Sequence, residues 1–263
     1  MDRRGIPRVL DGARPPDRDL VVAEEPLEIR IGGESLIVTM RTPGDDLDLA
    51  VGLLFTEGVI ASVDELGALE HARHGRDRDN VVEVTAAPGH ALDAGAARRV
   101  LRATAACGLC GKESIAAVRR RVPRITDDLR LPLARVLAMP AAIRAEQQVF
   151  EATGGLHAVG LFEEDGTLRL VREDVGRHNA VDKVIGASLR SGARSFARRV
   201  MFLSGRAGFE LVQKAAVAGV PVVCSVSAPS ALAVDLAQEA GLTLVGFVRG
   251  GSANVYTHPQ RIT

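Results

Sequence analysis

Alternation and helical periodicity divide the chain into readable segments. LEIRI (27–31) and ESLIVTM (34–40) are β-rich runs on either side of Gly32-Gly33, the signature of a two-residue hairpin. Residues 43–57 open on Pro43 and Asp45-Asp46. Their apolar positions Leu47, Leu49, Ala50, Leu53 and Leu54 fit helical spacing, with Gly58 as the stop. Residues 71–79 read as a polar loop, 80–86 as a strand, 91–104 as a helix and 112–122 as a second helix. A connector over 123–133 leads to a helix over 141–153, closed by Gly154-Gly155, and to the strand LHAVGLFE. Residues 173–192 alternate charge with an apolar stripe (Val175, Val181, Val184, Ile185), the pattern of a half-buried helix.

The last third has the clearest grammar. VMFLS, VPVVCSVS and LTLVGFVR are apolar strands, separated by the helices FELVQKAAVAG and ALAVDLAQEAG. Such strands, joined by helices of about eleven residues, predict parallel β-α-β crossovers covered on both faces. The predicted organisation is a disordered lead-in (1–20), an N-terminal α+β region (21–106), a connector carrying two cysteines (107–140) and a C-terminal α/β domain (141–263).

Composition narrows the class. The 263 residues are 46% apolar and 25% charged, ordinary for a globular protein with a sizeable core. Thirty-three basic residues balance thirty-three acidic ones, so no global pull toward nucleic acid or an anionic membrane is expected. Three cysteines do not make a disulfide scaffold, and an odd count leaves at least one free thiol, which favours a reducing compartment. The N-terminus lacks the apolar core of a signal peptide, and Pro221 and Pro229 interrupt the longest apolar stretch. A soluble, internal protein is expected.

Three constellations could carry chemistry. Cys107 and Cys110 lie in the glycine-padded segment CGLCG, directly before a predicted helix start at Lys112. The helix N-terminus and the Lys112 ammonium both favour thiolate, the form that attacks a sulfur donor or binds a metal. C-x-x-C alone permits a redox couple, half a zinc site or a persulfide carrier. Zinc needs about four ligands. There is no second C-x-x-C, and no histidine is followed two places later by glutamate, as a zinc deaminase requires. A thioredoxin-type couple sits at an early strand–helix junction, whereas here a helix precedes it. Both alternatives are weakened, and no structural metal is expected.

The second constellation is a set of turns after the three parallel strands: Ser204-Gly205-Arg206-Ala207-Gly208, Ser227 to Ser230, and Arg249-Gly250-Gly251-Ser252. Ligands of open α/β sheets bind outside the strand C-termini, where small residues, helix amides and arginine forks suit phosphate. The third is Asp174, His178 and Asp182, spaced four apart as on one helix face. His178 there is either a proton shuttle or part of a solvated, salt-bridged face. His157 reads as a satisfied core histidine, and Cys224 as an ordinary buried one.

Taken together, EEPLEIRIGGESLIVTMRTPGDDLDLAVGLLFTEGVI, CGLCGKESI, TGGLHAVGLF, REDVGRHNAVDKVIG, SGRAGFELVQKAAVAGVPVV, SAPSALAVDLA and GLTLVGFVRGGSANVYTHPQRI resemble the formate dehydrogenase accessory sulfurtransferase family, FdhD/NarQ. They cover most of residues 22–262 in order. The resemblance implies a cytoplasmic, homodimeric sulfur carrier. It would take sulfur from a cysteine desulfurase as a persulfide and pass it to the molybdenum (or tungsten) bis-molybdopterin guanine dinucleotide cofactor that formate dehydrogenase needs; a guanine nucleotide such as GDP would mimic that cofactor. It implies a cytidine deaminase-like three-layer core with a mixed, largely parallel sheet. The persulfide position matches Cys107, with Cys110 in support, and the cofactor-binding segment matches Phe247, Val248, Arg249, Gly250, Gly251 and Ser252. RATAAC departs from the hydroxyl-rich run that often precedes the first cysteine, which bears on the loop's hydrogen bonding and not on the thiols. A chaperone that binds the cofactor or the apo-enzyme without transferring sulfur is the alternative.

Overall fold

A computed structural model describes residues 2–7, 16–75, 77–95, 97–98 and 122–263. Cys107, Cys110 and Lys112, the helix expected over 112–122 apart from its last residue, and half of the helix expected over 91–104 lie outside them.

The predicted hairpin forms from β3 (Glu25–Ile31) and β4 (Glu34–Arg41). Gly32 and Gly33 both take positive φ, 57° and 82°, as a tight hairpin turn demands. Leu27, Ile29 and Ile31 point inward and are buried, while Glu28 and Arg30 alternate with them and pair at 2.6 Å. Helix α1 (Asp46–Thr56) crosses over and leads on to β5 (Leu66–His71) and β6 (Val81–Ala86). The four strands order as β4-β3-β6-β5, with β6 parallel to β3. Strand β5 was not predicted, because LGALEH shows no period-2 alternation and is only half-buried.

A six-stranded sheet, β12-β11-β10-β9-β7-β8, forms the larger body. Its strands are β7 (His157–Glu163), β8 (Leu168–Asp174), β9 (Arg199–Leu203), β10 (Val222–Ser225), β11 (Thr243–Arg249) and β12 (Ser252–Val255). Its helices are α2 (Leu133–Glu146), α3 (Gln148–Thr153), α4 (Arg177–Arg190), α5 (Phe209–Ala218) and α6 (Ala231–Ala240). Strand residues alternate between faces. Met201 and Leu203 join the core built by α4, α5 and α6, while Val200 and Phe202 join the core built by α2. Three layers result.

Four expectations need correction. Parallel pairing is confined to β9, β10 and β11, and the other three of five ladders are antiparallel, so this sheet is mixed but not largely parallel. The antiparallel members β8 and β12 each enter by a hairpin, turning at Gly166 or at Gly250-Gly251, and hairpins need no crossover helix. The lead-in expected to be disordered contains an antiparallel pair, β1 (Asp2–Pro7) and β2 (Pro16–Val21), because a backbone ladder does not require an apolar composition. The helix expected over 141–153 begins earlier, at Leu133, and breaks at Gln147. Helix α4, expected as half-buried, is buried at every residue from Asn179 to Leu189.

The last correction has a specific cause. Helix α1 lies directly on the outer face of α4, so α4 is enclosed between α1 and strands β7 and β8. Gly52 and Gly186 set the approach: a Cβ on Gly52 would fall 1.9 Å from the Asp182 carbonyl oxygen, and one on Gly186 1.8 Å from that of Asp48. Charged groups tie the same seam. Asp174 receives Lys183 Nζ at 2.8 Å and the Thr42 amide at 3.1 Å, Asp182 receives Lys214 Nζ at 2.8 Å, and Arg172 reaches Asp48 at 3.1 Å. No helix among the described residues is long and apolar enough to cross a membrane.

Candidate functional site at the strand ends

Because β9, β10 and β11 run parallel, the turns that follow them share one edge of the sheet, and the antiparallel β7 begins there. Backbone bonds stitch the turns in order. The Val226 amide donates to the Leu203 carbonyl (3.1 Å), Ala207 to Ala228 (3.2 Å), Ser230 to Ala207 (3.1 Å) and Phe247 to Ser227 (3.2 Å). Ser204 fixes β7 from both sides: its amide donates to the Ala158 carbonyl at 3.0 Å and its Oγ accepts from the Ala158 amide at 2.8 Å. The lip is thus held by its own backbone, with Arg206 and Ser230 exposed along it.

The Phe247–Ser252 segment is a hairpin tip, not a crossover turn. Gly250 and Gly251 take φ of 58° and 76°, and Arg249 pairs with Ser252 across them. Val248 is buried, and Ser252 Oγ donates to the Arg249 carbonyl at 3.2 Å. Phe247 has φ 53°, a left-handed conformation that strains any residue with a Cβ, and it sits where the β11–β12 register shifts. The Arg249 guanidinium lies 5.3 Å from the Phe247 ring centroid, in cation–π range. An exposed cation over an aromatic ring, next to two open glycines, suits an anionic or planar ligand group.

The third constellation separates into different jobs. Asp174 ends β8 and is fully buried on Lys183 and Asn179, and Asp182 is buried on Lys214 and Thr56. Neither is a solvated face or a shuttle partner. His178, in the first turn of α4, presents Nε2 to Glu210 Oε2 of α5 at 2.6 Å. That pair bridges the starts of two helices at the same edge as Ser204 and Ser227.

His157 is not a core residue. It begins β7 and stands against a cleft of about 520 Å³, lined by Arg144, Gln147 and Phe150 on one wall and by Ser204, Gly205 and Val226 on the other. No carboxylate is among the described residues lining it, but the Arg144 guanidinium is paired with Glu151 at 2.5 Å. Burial pushes the His157 imidazole below its usual range, and the nearby charges of Arg177 and His178 push it further, against a weaker upward pull from Asp174. A neutral imidazole at neutral pH follows. Gly205 leaves room beside it: a Cβ there would sit 3.4 Å from His157 Nδ1.

Helices α2 and α3 supply the wall that the sequence reading did not find, since Arg144, Gln147 and Phe150 read there only as positions in one continuous helix. The signals that point to it are Gly154, in the left-handed region, and exposed Gly155, which end α3 just before His157 and leave the cleft mouth without side chains. Cys224 is fully buried in β10, where burial drives its thiol upward and keeps it inert. Among the described residues, no group of three or more histidine, cysteine, aspartate or glutamate side chains is placed to hold a metal ion.

Comparison with known proteins agrees with this architecture along the whole chain. The family model "FdhD/NarQ family" matches residues 22–263. A sulfur carrier protein FdhD from Streptomyces avermitilis is 51% identical over 268 residues, covering 99% of this chain and 95% of the relative. One of the same name from Anaeromyxobacter dehalogenans is 51% identical over 256 residues, with 93% and 89% coverage. A solved structure from Desulfotalea psychrophila, described as that of a formate dehydrogenase accessory protein, superposes with a TM-score of 0.78 at 26% identity, covering 100% of this chain and 99% of that one. The chain belongs to the FdhD/NarQ family.

Proposed function

We propose that the protein is a sulfur carrier for formate dehydrogenase maturation. It would take sulfur from a cysteine desulfurase as a persulfide on Cys107, with Cys110 in support, and deliver it to a bis-molybdopterin guanine dinucleotide cofactor of molybdenum or tungsten. The observation that carries this reading is near-complete similarity to relatives named sulfur carrier protein FdhD, about half identical over almost all of the chain. The strand-end edge supports it in kind. Ser204, Gly205, Arg206, Ser227 and His178 share that edge, and Arg249 stands over Phe247 at a glycine turn, a suitable setting for a phosphorylated cargo.

Sulfur transfer needs a thiolate attacking a sulfane sulfur, so a glycine-flanked cysteine pair is the part of this chain suited to it. We read the three-layer core as a cytidine deaminase-like scaffold put to another use, since function follows the site and not the fold. A homodimer in the cytoplasm is part of the same proposal.

Mass spectrometry after incubation with a cysteine desulfurase and cysteine tests it. A mass increase of one sulfur on the peptide containing Cys107, lost on reduction and absent from C107A, is expected. Loading that is absent from the wild type, or that survives in C107A on another residue, overturns the assignment.

A further inference from the structure

Helix α3 is anchored at its two ends and not along its length. Gln147 and Leu156 are buried, whereas every residue between them is exposed or half-buried. Apolar burial therefore adds little to holding the helix in place. Both ends can bend. At Gln147 ψ turns to 63°, which breaks α3 from α2, and Gly154 takes φ 67° just before the exposed Gly155. With six residues, α3 is too short to persist by itself. Yet Phe150, Gly154 and Gly155 line the cleft that holds His157.

What holds α3 against the body comes from β8. Gln147 offers no side-chain cap to the first amides of the helix. Glu173 supplies one from the sheet: its Oε2 accepts from the Val149 amide at 3.1 Å and its Oε1 from the Phe150 amide at 3.0 Å. One carboxylate thus satisfies two orphan donors at the positive end of the helix. A second polar tie, Arg144 Nη2 to Glu151 Oε2 at 2.5 Å, joins side chains that are both more than half exposed, and such pairs hold little. Helix α3 also touches β2. The residue after Glu173 points the other way, as strand alternation requires: Asp174 is buried on Lys183 and Asn179 at the start of α4. Glu173 can therefore let go without disturbing that network.

We propose that α3 is a hinged wall of the His157 cleft and that Glu173 is its latch. In the closed state, the one in this structure, both carboxylate oxygens hold the helix. In the open state the two amides exchange the carboxylate for water, the segment 148–155 swings on Gln147 and on Gly154-Gly155, and His157 and Ser204 become more accessible. The charge on Glu173 makes the latch stronger than a neutral cap. The half-buried setting of the helix leaves that latch as its main restraint on this side. The device does not depend on what enters the cleft or on sulfur loading at Cys107, so a failure of loading would leave it standing.

His157 itself reports the opening. Diethyl pyrocarbonate acylates neutral imidazole, the form that burial and the nearby charges of Arg177 and His178 favour for His157. In the unaltered chain, peptide mass spectrometry should show slow modification of His157 and fast modification of exposed His90. E173A should raise the His157 rate, and the hydrogen exchange of the Val149 and Phe150 amides, by about tenfold or more, the factor that accompanies loss of a hydrogen bond to a charged group. His90 modification and amide exchange in β7 and β9 should not change. E173Q keeps one acceptor oxygen but turns a donor toward the second amide, so it should give a smaller rise in the same direction, and it serves in place of E173A if the alanine variant is unstable. E151A removes only the exposed pair and should alter both readouts by no more than about twofold. Unchanged His157 reactivity or unchanged exchange at Val149 and Phe150 in the Glu173 variants overturns the proposal. So does an acceleration that spreads to β7 and β9, which would make Glu173 a support of the whole sheet, or an E151A effect as large as that of E173A.

Discussion

Replacing Gly52 or Gly186 by alanine is expected to lower stability by about 3 kcal/mol, against the direction that helix propensity alone predicts. In an isolated helix the change would gain roughly 1 kcal/mol, since alanine restricts the unfolded chain and favours helix. Here the new methyl carbon would stand 1.9 Å from the Asp182 carbonyl oxygen in one case and 1.8 Å from that of Asp48 in the other. Those obstacles are backbone, so no side chain can swing aside. The helices would have to separate by an ångström or more.

Separation is resisted locally. Asp182 is held by Lys214 and Thr56, and Asp48 by Arg172 and Arg190, all within a turn of the glycines. Overpacking of a buried contact typically costs about 1–3 kcal/mol, and a contact with two fixed backbones belongs at the upper end. For a chain of this size, that corresponds to a fall of roughly 6–12 °C in the midpoint of thermal unfolding. Calorimetry of G52A and G186A checks it, and an unchanged midpoint in both would show that the α1–α4 contact is looser than described. The pair G52A/G186A should lose less than the sum of the singles, because one displacement relieves both clashes.

The same seam explains why the sequence was only partly legible. Segments whose apolar runs are bounded by clear turn residues are legible: the hairpin 27–40, helix α1, and the β-α-β-α-β run from Arg199 to Arg249. Helix α4 misled because its charges look like a solvent face. Asp182 and Lys183 occur at helical spacing with valines, and nothing local reveals that α1 covers them or that their partners lie at Lys214 and Asp174. The strand β8 is hidden in the same way, since LRLVRED carries four charged residues: Arg172 and Asp174 bond across the seam, Glu173 accepts from the Val149 and Phe150 amides of α3, and Arg169 lies near Glu163.

At the site, the shared edge of the three turns followed from parallel pairing and was readable. The wall formed by Arg144 and Phe150 was not, because it depends on a break at Gln147 inside an apparently continuous helix. The role of His157 is hidden for a related reason. Its flanking residues Leu156 and Ala158 are buried, and only the three-dimensional position of Gly205 opens space on its own side.

Lys214→Met is expected to destabilise the protein by about 3–5 kcal/mol, while Asp182→Asn combined with it recovers a large part of the loss. Lys214 Nζ donates to both Asp182 oxygens (3.0 and 2.8 Å), to Thr56 Oγ1 at 2.8 Å and to Glu57 Oε1 at 3.0 Å. Burial alone would push the lysine down, but Asp182 and Glu57 together hold it above its usual range, so it is charged at neutral pH. Burial pushes the Asp182 carboxyl the other way, upward, and Glu57 adds to that push, so its ionised form depends on Lys214 and on the hydroxyl of Thr56.

Removing the lysine leaves an ionised group fully enclosed with one hydroxyl, a change that in comparable sites costs about 3–5 kcal/mol. The carboxyl would escape part of that penalty by protonating. K214M should therefore be relatively less impaired in acid than near neutral pH, because the lost stabilisation belongs to the carboxylate form. Asparagine at 182 cannot ionise and still accepts from Thr56, so D182N/K214M should unfold in urea nearer the wild type than K214M does, and its deficit should not grow between about pH 5 and 8. Equal deficits in K214M and D182N/K214M at neutral pH would mean that lost packing of the lysine stem, and not an uncompensated charge, sets the penalty.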